Sequence, residues 1–304
     1  MPGTWCWAAA GSHNILKSIE YWLARLLMFS LSAAPLPVAN AMARTCVRLL
    51  DLAIPRLRRT ALQNLEMAGL AGRERIVTGV FNSIARMIVS FARFPQINAG
   101  NIAEWIEYQG LENFENARRA GKGVLIATAH FGNWELSAFA HAFLSAPMHV
   151  VVRPIDNAPI DRMVEARRAL SGNHIITKTD AARGILRALK ANEAVGILID
   201  QNTMPGEGVF VDFFGKQACA TSAFVKLAQH SGAAVVPGYA LWSEEKQKYT
   251  LYFEPSVEMT GDVQADTQHV HACLEAAIRK HPDQWLWLHR RWKTRPPGEP
   301  PLYS

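Results

Sequence analysis

Residues 123–135 read Gly-Val-Leu-Ile-Ala-Thr-Ala-His-Phe-Gly-Asn-Trp-Glu, and this stretch decides the expected fold. A short apolar run between glycines and a polar turn is typical of a buried strand. Phe131-Gly132-Asn133 predicts a turn, and Glu135 then falls in the first turn of a new helix. The stretch therefore predicts a strand, a turn and a helix in direct succession.

The chain beyond residue 121 repeats this alternation of strands and helices. Apolar runs predict further strands at 148–152, 174–177, 194–200, 234–242 and 249–254. Helical patterns are predicted near 134–145, 159–170, 181–191, 220–231 and 264–281. Alternation of this kind predicts an α/β fold, in which helices flank a mixed, mainly parallel sheet.

The N-terminal region has a different pattern. Residues 13–120 are predicted to be mostly helical, with one amphipathic segment over 76–91 that ends near Pro95. Apolar residues recur at helical spacing near the start of this region, at Ile15, Ile19, Trp22, Leu23, Leu26 and Leu27. The uncharged run 26–43 that follows is interrupted by Pro35, Pro37 and Asn40.

This pattern predicts an amphipathic helix that leads into an apolar elbow and associates with a membrane surface. A membrane span and ordinary packing against the domain are the two alternatives. The basic stretch that follows suits an anionic lipid surface or a solvated helix face; its cations are Arg44, Arg48, Arg56, Arg58 and Arg59. We expect residues 1–45 to form a membrane-associating segment and 46–304 a single α/β domain, with a helical lead-in to about residue 120.

The composition excludes several classes of protein. Of the 304 residues, 49% are hydrophobic and 19% charged, and the net charge is +6. These values exclude a disordered chain, and a mean hydropathy of −0.00 is too low for a multi-span transporter. Cys6, Cys46, Cys219 and Cys273 form no CxxC pair, so neither a zinc site nor a disulfide framework is expected. An apolar, basic protein suits a partner that is both apolar and anionic.

His130 and Glu135 are the first candidates for chemistry. On one continuous helix these side chains would lie about 140° apart and would not meet. With His130 at a strand end and Glu135 in a helix N-terminus, they can come together at the carboxyl edge of the sheet, where ligands bind in open α/β folds. Such a pair would make His130 a general base, whereas Glu135 alone could serve the helix terminus.

The C-terminal string 284–296 combines tryptophan with cations, among them Arg290, Arg291 and Lys293. Such a combination indicates a phosphate-bearing lipid or nucleic acid as partner, or else a strand with buried tryptophans and exposed arginines. The alternation of Trp285 and Trp287 favours at least part of it as core.

Four stretches resemble the lipid A biosynthesis acyltransferases, a lauroyl/myristoyl transferase family within the HxxxxD/E glycerolipid acyltransferase superfamily. They are Arg59-Thr-Ala-Leu-Gln-Asn-Leu-Glu66, Ala129-His-Phe-Gly-Asn-Trp-Glu135, Gly196-Ile-Leu-Ile-Asp-Gln201 with Gly208-Val-Phe-Val-Asp-Phe-Phe-Gly215, and Gln284-Trp-Leu-Trp-Leu-His-Arg-Arg-Trp-Lys-Thr-Arg-Pro296. The last is the most specific, and the resemblance covers about residues 15–296.

The resemblance implies transfer of an acyl chain from a thioester to a hydroxyl of a phosphorylated glycolipid, at the cytoplasmic face of the bacterial inner membrane. His130 would be the general base and Glu135 its orienting partner. The co-substrate would be acylated acyl carrier protein or acyl-CoA, with no other cofactor, metal or nucleic acid. Arg153, Asp200 and Asn133 are the oxyanion or substrate-binding candidates, and the phosphate or lipid candidates are Arg290, Arg291 and Lys293.

Two other functions remain open from the residues alone. A related acyltransferase could act on another membrane lipid, such as a phosphatidylinositol mannoside or an amino-acid lipid. A non-catalytic basic module could bind anionic membrane or nucleic acid. No GxSxG elbow is present, which disfavours a serine hydrolase, and the glycines around 206–215 match neither a P-loop nor a dinucleotide fingerprint.

Overall fold

Helices and strands alternate through most of the chain in the computed structural model, which describes residues 6–177 and 181–303. The helices are α1 Cys6–Ala33, α2 Leu36–Ala53, α3 Pro55–Met67, α4 Arg73–Arg93, α5 Leu111–Arg119, α6 Trp134–Leu144, α7 Ala158–Arg168, α8 Ala181–Lys190, α9 Ala223–Ser231 and α10 Val263–Lys280. The strands are β1 Ile106–Gln109, β2 Val124–Thr128, β3 His149–Val152, β4 His174–Thr177, β5 Ala194–Leu198, β6 Gly208–Phe213, β7 Lys216–Thr221, β8 Ala234–Ser243 and β9 Lys248–Phe253.

Seven of these strands form one sheet, in the order β1-β9-β8-β2-β5-β3-β4. Every neighbouring pair is parallel except β8 with β9, so β9 and β1 run opposite to the other five strands. Helices lie on both faces of the sheet, which supplies the cover that apolar parallel strands require. The predicted α/β fold with a mixed, mainly parallel sheet is confirmed.

All six predicted strands are present, and three strands were missed. The four residues of β1 occupy one edge of the sheet, inside the region predicted to be helical. Strands β6 and β7 form a separate antiparallel hairpin that packs against α10. A four-residue strand is too short for its alternation to outweigh the surrounding helical pattern.

The N-terminal helices pack around α4, whose inner side includes Val77, Val80 and Phe81 in the core. Among the described residues, one stretch is long and apolar enough to cross a membrane, Arg73–Gln96, and half of it is buried inside the protein. A half-buried helix in contact with α1, α2, α3 and α6 fits a core helix. The uncharged run 26–43 is divided between α1 and α2, which break at Ala34-Pro35.

The apolar stripe predicted on α1 faces away from the rest of the described chain. Ile15, Ile19, Trp22, Leu23 and Leu26 are each between 50% and 63% exposed. The opposite side of the helix supplies Met28 and Leu31 to the core. Leu27, the sixth residue of the predicted stripe, is partly buried and packs against the core. Packing against the domain, one of the alternatives, therefore holds for Leu27 and not for the other five residues.

The C-terminal string forms no strand after Gln284 and instead runs as irregular chain through the core. Trp285, Trp287 and Trp292 are each almost fully buried. The rings of Trp285 and Trp287 meet edge to face at 4.6 Å, and Phe213 and Phe214 of the β6–β7 hairpin pack against them. The expectation that part of the string belongs to the core is confirmed.

Candidate active site

Strand register brings His130 and Asp200 together. Thr128 at the end of β2 pairs with Leu198 at the end of β5, and the amide of Ile199 donates to the carbonyl of Thr128 at 3.0 Å. His130 and Asp200 each follow their strand by two residues, so they meet at the carboxyl edge of the sheet. The amide N–H of His130 donates to Oδ2 of Asp200 at 2.9 Å and fixes this alignment.

The Asp200 carboxylate orients the His130 ring. Its Oδ1 lies 2.9 Å from Nδ1 of His130, and its Oδ2 also accepts the indole N–H of Trp285 at 2.8 Å. A carboxylate only accepts hydrogen bonds, so Nδ1 carries the proton and Nε2 has the free lone pair. Asp200 is 3% exposed, whereas His130 lines an open cavity.

The pKa values of this pair move apart. Burial by itself would raise the pKa of Asp200, but the charge of His130 and the hydrogen bonds from His130 and Trp285 lower it to about 2. Burial by itself would lower the pKa of His130, but the carboxylates of Asp200 and Glu135 reverse that effect and raise it above its usual value. The pair therefore combines a firmly ionised carboxylate with an imidazole of increased basicity.

Glu135 does not orient His130 as predicted. Its carboxylate binds the guanidinium of Arg168 through two hydrogen bonds, Nε to Oε2 at 2.9 Å and Nη2 to Oε1 at 2.6 Å. The pair joins the start of α6 to the end of α7. Glu135 acts on His130 only through its charge, and the hydrogen-bond partner of the imidazole is Asp200. Asp200, one of the predicted oxyanion or substrate-binding candidates, instead holds His130 through two hydrogen bonds.

The turn after His130 is built by Gly132 and Asn133. Gly132 has φ +63°, and a Cβ there would lie 1.9 Å from the carbonyl oxygen of Ala240, so only glycine fits. Asn133 caps α6 by accepting from the amide of Leu136 and donates its own amide to Ser90. It is fully buried, which contradicts its prediction as an oxyanion or substrate-binding residue.

A cavity of about 800 Å³ opens beside His130. Most of its lining is apolar and comes from β2, β3, β5 and the helices that cover them. Arg153, directly after β3, is exposed and lies on the wall of this cavity. Gln201 lines it too, and its amide nitrogen is 3.5 Å from Nε2 of His130. The free nitrogen of His130 therefore faces a space suited to an apolar ligand.

The three C-terminal cations have separate environments. Arg291 is fully buried and donates to the carbonyls of Cys219 and Gln201, with its guanidinium 5.3 Å from the Phe213 ring. Burial lowers its pKa to about 10, although the charge of Asp200 opposes that effect. The prediction that Arg291 contacts phosphate or lipid is therefore wrong. Arg290 and Lys293 are exposed and do not line the cavity in the described part of the chain.

Comparison with known proteins assigns the chain to a family. The family model described as "Bacterial lipid A biosynthesis acyltransferase" matches residues 9–294. The chain belongs to this family. The protein is thus an acyltransferase, and the family that the four stretches predicted is confirmed.

Several curated relatives of this acyltransferase come from Escherichia coli strain K12. The lipid A biosynthesis palmitoleoyltransferase is 30% identical over 250 residues, which cover 80% of this chain and 81% of the relative. The lauroyltransferase is 32% identical over 205 residues, or 66% of each chain. The myristoyltransferase is 24% identical over 248 residues, which cover 80% of this chain and 77% of the relative.

Three residues beside His130 escaped prediction: Gln201, Arg168 and Trp285. Gln201 was part of the middle stretch of the resemblance but was not named as a site residue. Arg168 was part of a predicted helix, and nothing in its local pattern indicated that Glu135 binds it. Trp285 was expected as core, but not as a donor to Asp200. A buried indole N–H needs a hydrogen-bond acceptor. A tryptophan expected in the core therefore indicated that a buried acceptor lies near it, but not which residue.

Proposed function

We propose that this acyltransferase moves an acyl chain from a thioester to a hydroxyl of a lipid A precursor, with His130 as general base. The observation that carries the proposal is the unprotonated Nε2 of His130 beside a largely apolar cavity, with Nδ1 bound to Asp200 and only a long contact of 3.5 Å from the Gln201 amide to Nε2. The names of the relatives, all lipid A biosynthesis acyltransferases, support the acceptor.

In the proposed reaction the acceptor hydroxyl gives its proton to Nε2 of His130 while its oxygen attacks the thioester carbonyl carbon. Imidazolium forms next to the ionised Asp200, whose charge stabilises it. The tetrahedral intermediate then collapses, the carbon–sulfur bond breaks, and the departing thiolate takes the proton from Nε2. An ester and a thiol result, no acyl-enzyme is needed, and no cofactor takes part beyond the thioester.

Negative charge develops on the former carbonyl oxygen during this attack. Two groups on the cavity wall can donate to it, the amide of Gln201 and the exposed guanidinium of Arg153. Donors already in place when charge develops lower the barrier, because no solvent has to reorganise. We assign oxyanion stabilisation to these two residues, with phosphate binding as the second role open to Arg153.

The donor and the acceptor both suit the charge of the cavity wall. Arg153 and Lys226 are exposed cations that line it, against one exposed anion, Glu207, while Glu135 and Arg168 neutralise each other. An acyl carrier protein or CoA donor and an anionic glycolipid acceptor would all be attracted by this charge. Acyl carrier protein is the proposed donor, and CoA is the alternative.

The decisive experiment incubates purified protein with a lipid A precursor in detergent and with acyl-loaded carrier protein or acyl-CoA. We expect a product whose mass equals that of the precursor plus one acyl group. Transfer from acyl carrier protein should exceed transfer from acyl-CoA. Phosphatidylinositol mannoside and an amino-acid lipid serve as competing acceptors. Acylation of one of these and not of the lipid A precursor would contradict the proposed acceptor.

We place the protein at the inner membrane, on its cytoplasmic face, through the exposed apolar side of α1. Phe29 extends this side at 69% exposure, and Leu49 and Leu52 of α2 are also exposed. Arg44 and Arg48 lie exposed on α2 as well. Apolar side chains next to cations favour a helix in the plane of an anionic lipid surface.

Exchanging Leu23 and Leu26 for glutamate should weaken membrane binding at least about tenfold. Burying a leucine side chain contributes about 1.5–3 kcal/mol of binding free energy, which the glutamate loses. A loss of about 1.4 kcal/mol lowers the affinity tenfold. Flotation with vesicles containing phosphatidylglycerol measures the effect, and Leu170→Glu is the matched control, since Leu170 is 51% exposed but lies outside α1. Alkaline or high-salt wash should release wild-type protein, and resistance to both would contradict a purely interfacial position.

A further inference from the structure

Strands β3 and β5 separate before they reach the carboxyl edge of the sheet. They are paired at only two positions, His149 with Val195 and Val150 with Gly196. Their other neighbours stay paired further: β2 with β5 through Leu198, and β3 with β4 through Val152. A gap between β3 and β5 therefore opens beside the cavity.

Beside this gap the cavity is lined by residues from both faces of the sheet. Paired residues share a face and successive residues alternate, so Gly196 lies on the same face as Ile126 and Val150. Ile126 pairs with Val236, and Gly238, two residues further along β8 and therefore on the same face, pairs with Phe253. We call this the α6 face, because Phe253 contacts His141 of α6. Consecutive residues of both strands line the one cavity, Val150 to Val152 and Gly196 to Ile199.

The opposite face, the α8 face, carries Val151 and Ile197. Ile176 pairs with Val151, and a Cβ at Gly184 of α8 would contact Ile176, which places α8 on this side. The cavity wall there includes Ile185 of α8 together with Phe224 and Leu227 of α9. One cavity thus includes the space beside His130 and an apolar chamber on the α8 face, and the gap between β3 and β5 lies between the two.

We propose that the hydrocarbon chain of the acyl donor passes through this gap and ends in the chamber on the α8 face. The inference rests on the proposed function, since it assumes that His130 reacts with a bound thioester. A slot between two strand backbones admits a narrow, unbranched chain, and the apolar wall beyond it stabilises that chain by removing it from water. The chamber is therefore the site that determines chain length.

Gly196 is the last residue of β5 that pairs with β3, so it stands where the slot begins on the α6 face. Glycine inside a strand weakens it and is typical of a position where a ligand or another backbone approaches closely. A Cβ at 196 would lie 2.8 Å from Cε of Met148, which is itself buried and lines the cavity. Because Cε is the end of a flexible side chain, an alanine at 196 displaces Met148 into the space next to the gap and leaves the backbone in place.

Four variants test the path, each assayed with a series of saturated acyl donors of increasing length. Gly196→Ala narrows the slot and Ile185→Phe fills the chamber, so both should lower kcat/KM for the longest accepted donor about 10- to 200-fold. The shortest donors should react as with wild type. Adding Met148→Ala to Gly196→Ala should restore the long donor. Leu189→Phe is the control, since Leu189 is buried on α8 but does not line the cavity.

The outcomes separate this inference from the proposed function. Loss of long donors with Gly196→Ala alone would place the chain on the α6 face and overturn the passage through the gap. An effect of Ile185→Phe alone would overturn the role of Gly196 as part of the path. Unchanged length preference in both, in variants that still transfer acyl groups, would overturn the inference while the proposed function stands. A wild-type protein that transfers no acyl group would refute the proposed function itself.

Discussion

Replacing His130 by alanine should remove acyl transfer and leave the protein folded and bound to membranes. The imidazole is the group at the cavity that can take a proton from a hydroxyl near neutral pH, and general base catalysis contributes about 10²- to 10⁴-fold. We therefore expect kcat/KM to fall by at least that factor. The assay uses acylated carrier protein and lipid A precursor, with the product measured by mass spectrometry.

His174→Ala is the matched control, because His174 is exposed at the amino end of β4, the opposite edge of the sheet from the site. It should keep wild-type activity. Vesicle flotation should give the same bound fraction for both variants and for wild type, since α1 is untouched. Full activity of His130→Ala in a protein with a normal melting temperature would exclude His130 as the base.

Local patterns predicted the core of the fold because its strands are apolar on both faces. Ala194–Leu198 and Val124–Thr128 are continuous apolar runs with turn residues at their ends, as central parallel strands require. The turn at Gly132 was predicted from the residues alone, although the contact that demands glycine, with Ala240, is more than a hundred residues away. The hairpin β6–β7 was missed because it is held by contacts with α10 and the C-terminal tryptophans.

The candidate site could be predicted only in part. His130 was found because a strand, a turn and a helix N-terminus succeed each other in one short stretch. Its partner was assigned to Glu135, the nearest acid along the chain, whereas the structure pairs it with Asp200, 70 residues away. That pairing depends on the register of β2 against β5, which single-strand patterns do not contain. The sequence did contain one feature common to His130 and Asp200: each follows the end of an apolar strand by two positions.

Arg291 illustrates the same limit for charged residues. A cluster of cations without acids indicates a solvated or ligand-binding surface when judged by composition. The structure buries Arg291 between two carbonyls and the Phe213 ring, where Asp200 is a neighbouring opposite charge. Its predicted ligand role failed because burial is decided by the tryptophans around it and not by its own charge. Arg290 and Lys293, on the same string, are exposed and keep their predicted role open.

Exchanging Asp200 for asparagine should impair catalysis far more than exchanging Glu135 for glutamine. Asparagine has one acceptor oxygen for the three donors that Asp200 binds, and it lacks the charge that stabilises imidazolium. We expect kcat/KM to fall about 10²- to 10⁴-fold in Asp200→Asn. Glu135→Gln keeps the hydrogen bond from His130 to Asp200 and should lose roughly tenfold or less, the equivalent of about 1.4 kcal/mol.

The pH profile distinguishes positioning from simple loss of structure. His130 acts as base when neutral, so wild-type kcat/KM should rise with pH through the raised pKa of His130 and then level off. Removing the Asp200 charge lowers that pKa, so the midpoint of the rise in Asp200→Asn should move to lower pH. Removing the Glu135 charge should move it in the same direction by less, since Asp200 contributes more to the increase.

Trp285→Phe serves as the control for structure around Asp200. It removes one donor to Oδ2 but retains the carboxylate and its bond to His130. We expect a lower melting temperature and far more activity than in Asp200→Asn. The pH midpoint of the rise in kcat/KM should stay close to that of wild type. Equal losses in Glu135→Gln and Asp200→Asn, with the larger midpoint shift in Glu135→Gln, would return the orienting role to Glu135. In that case the five-residue spacing from His130 to Glu135 would indicate the catalytic partner correctly, and the hydrogen bond from His130 to Asp200 would not.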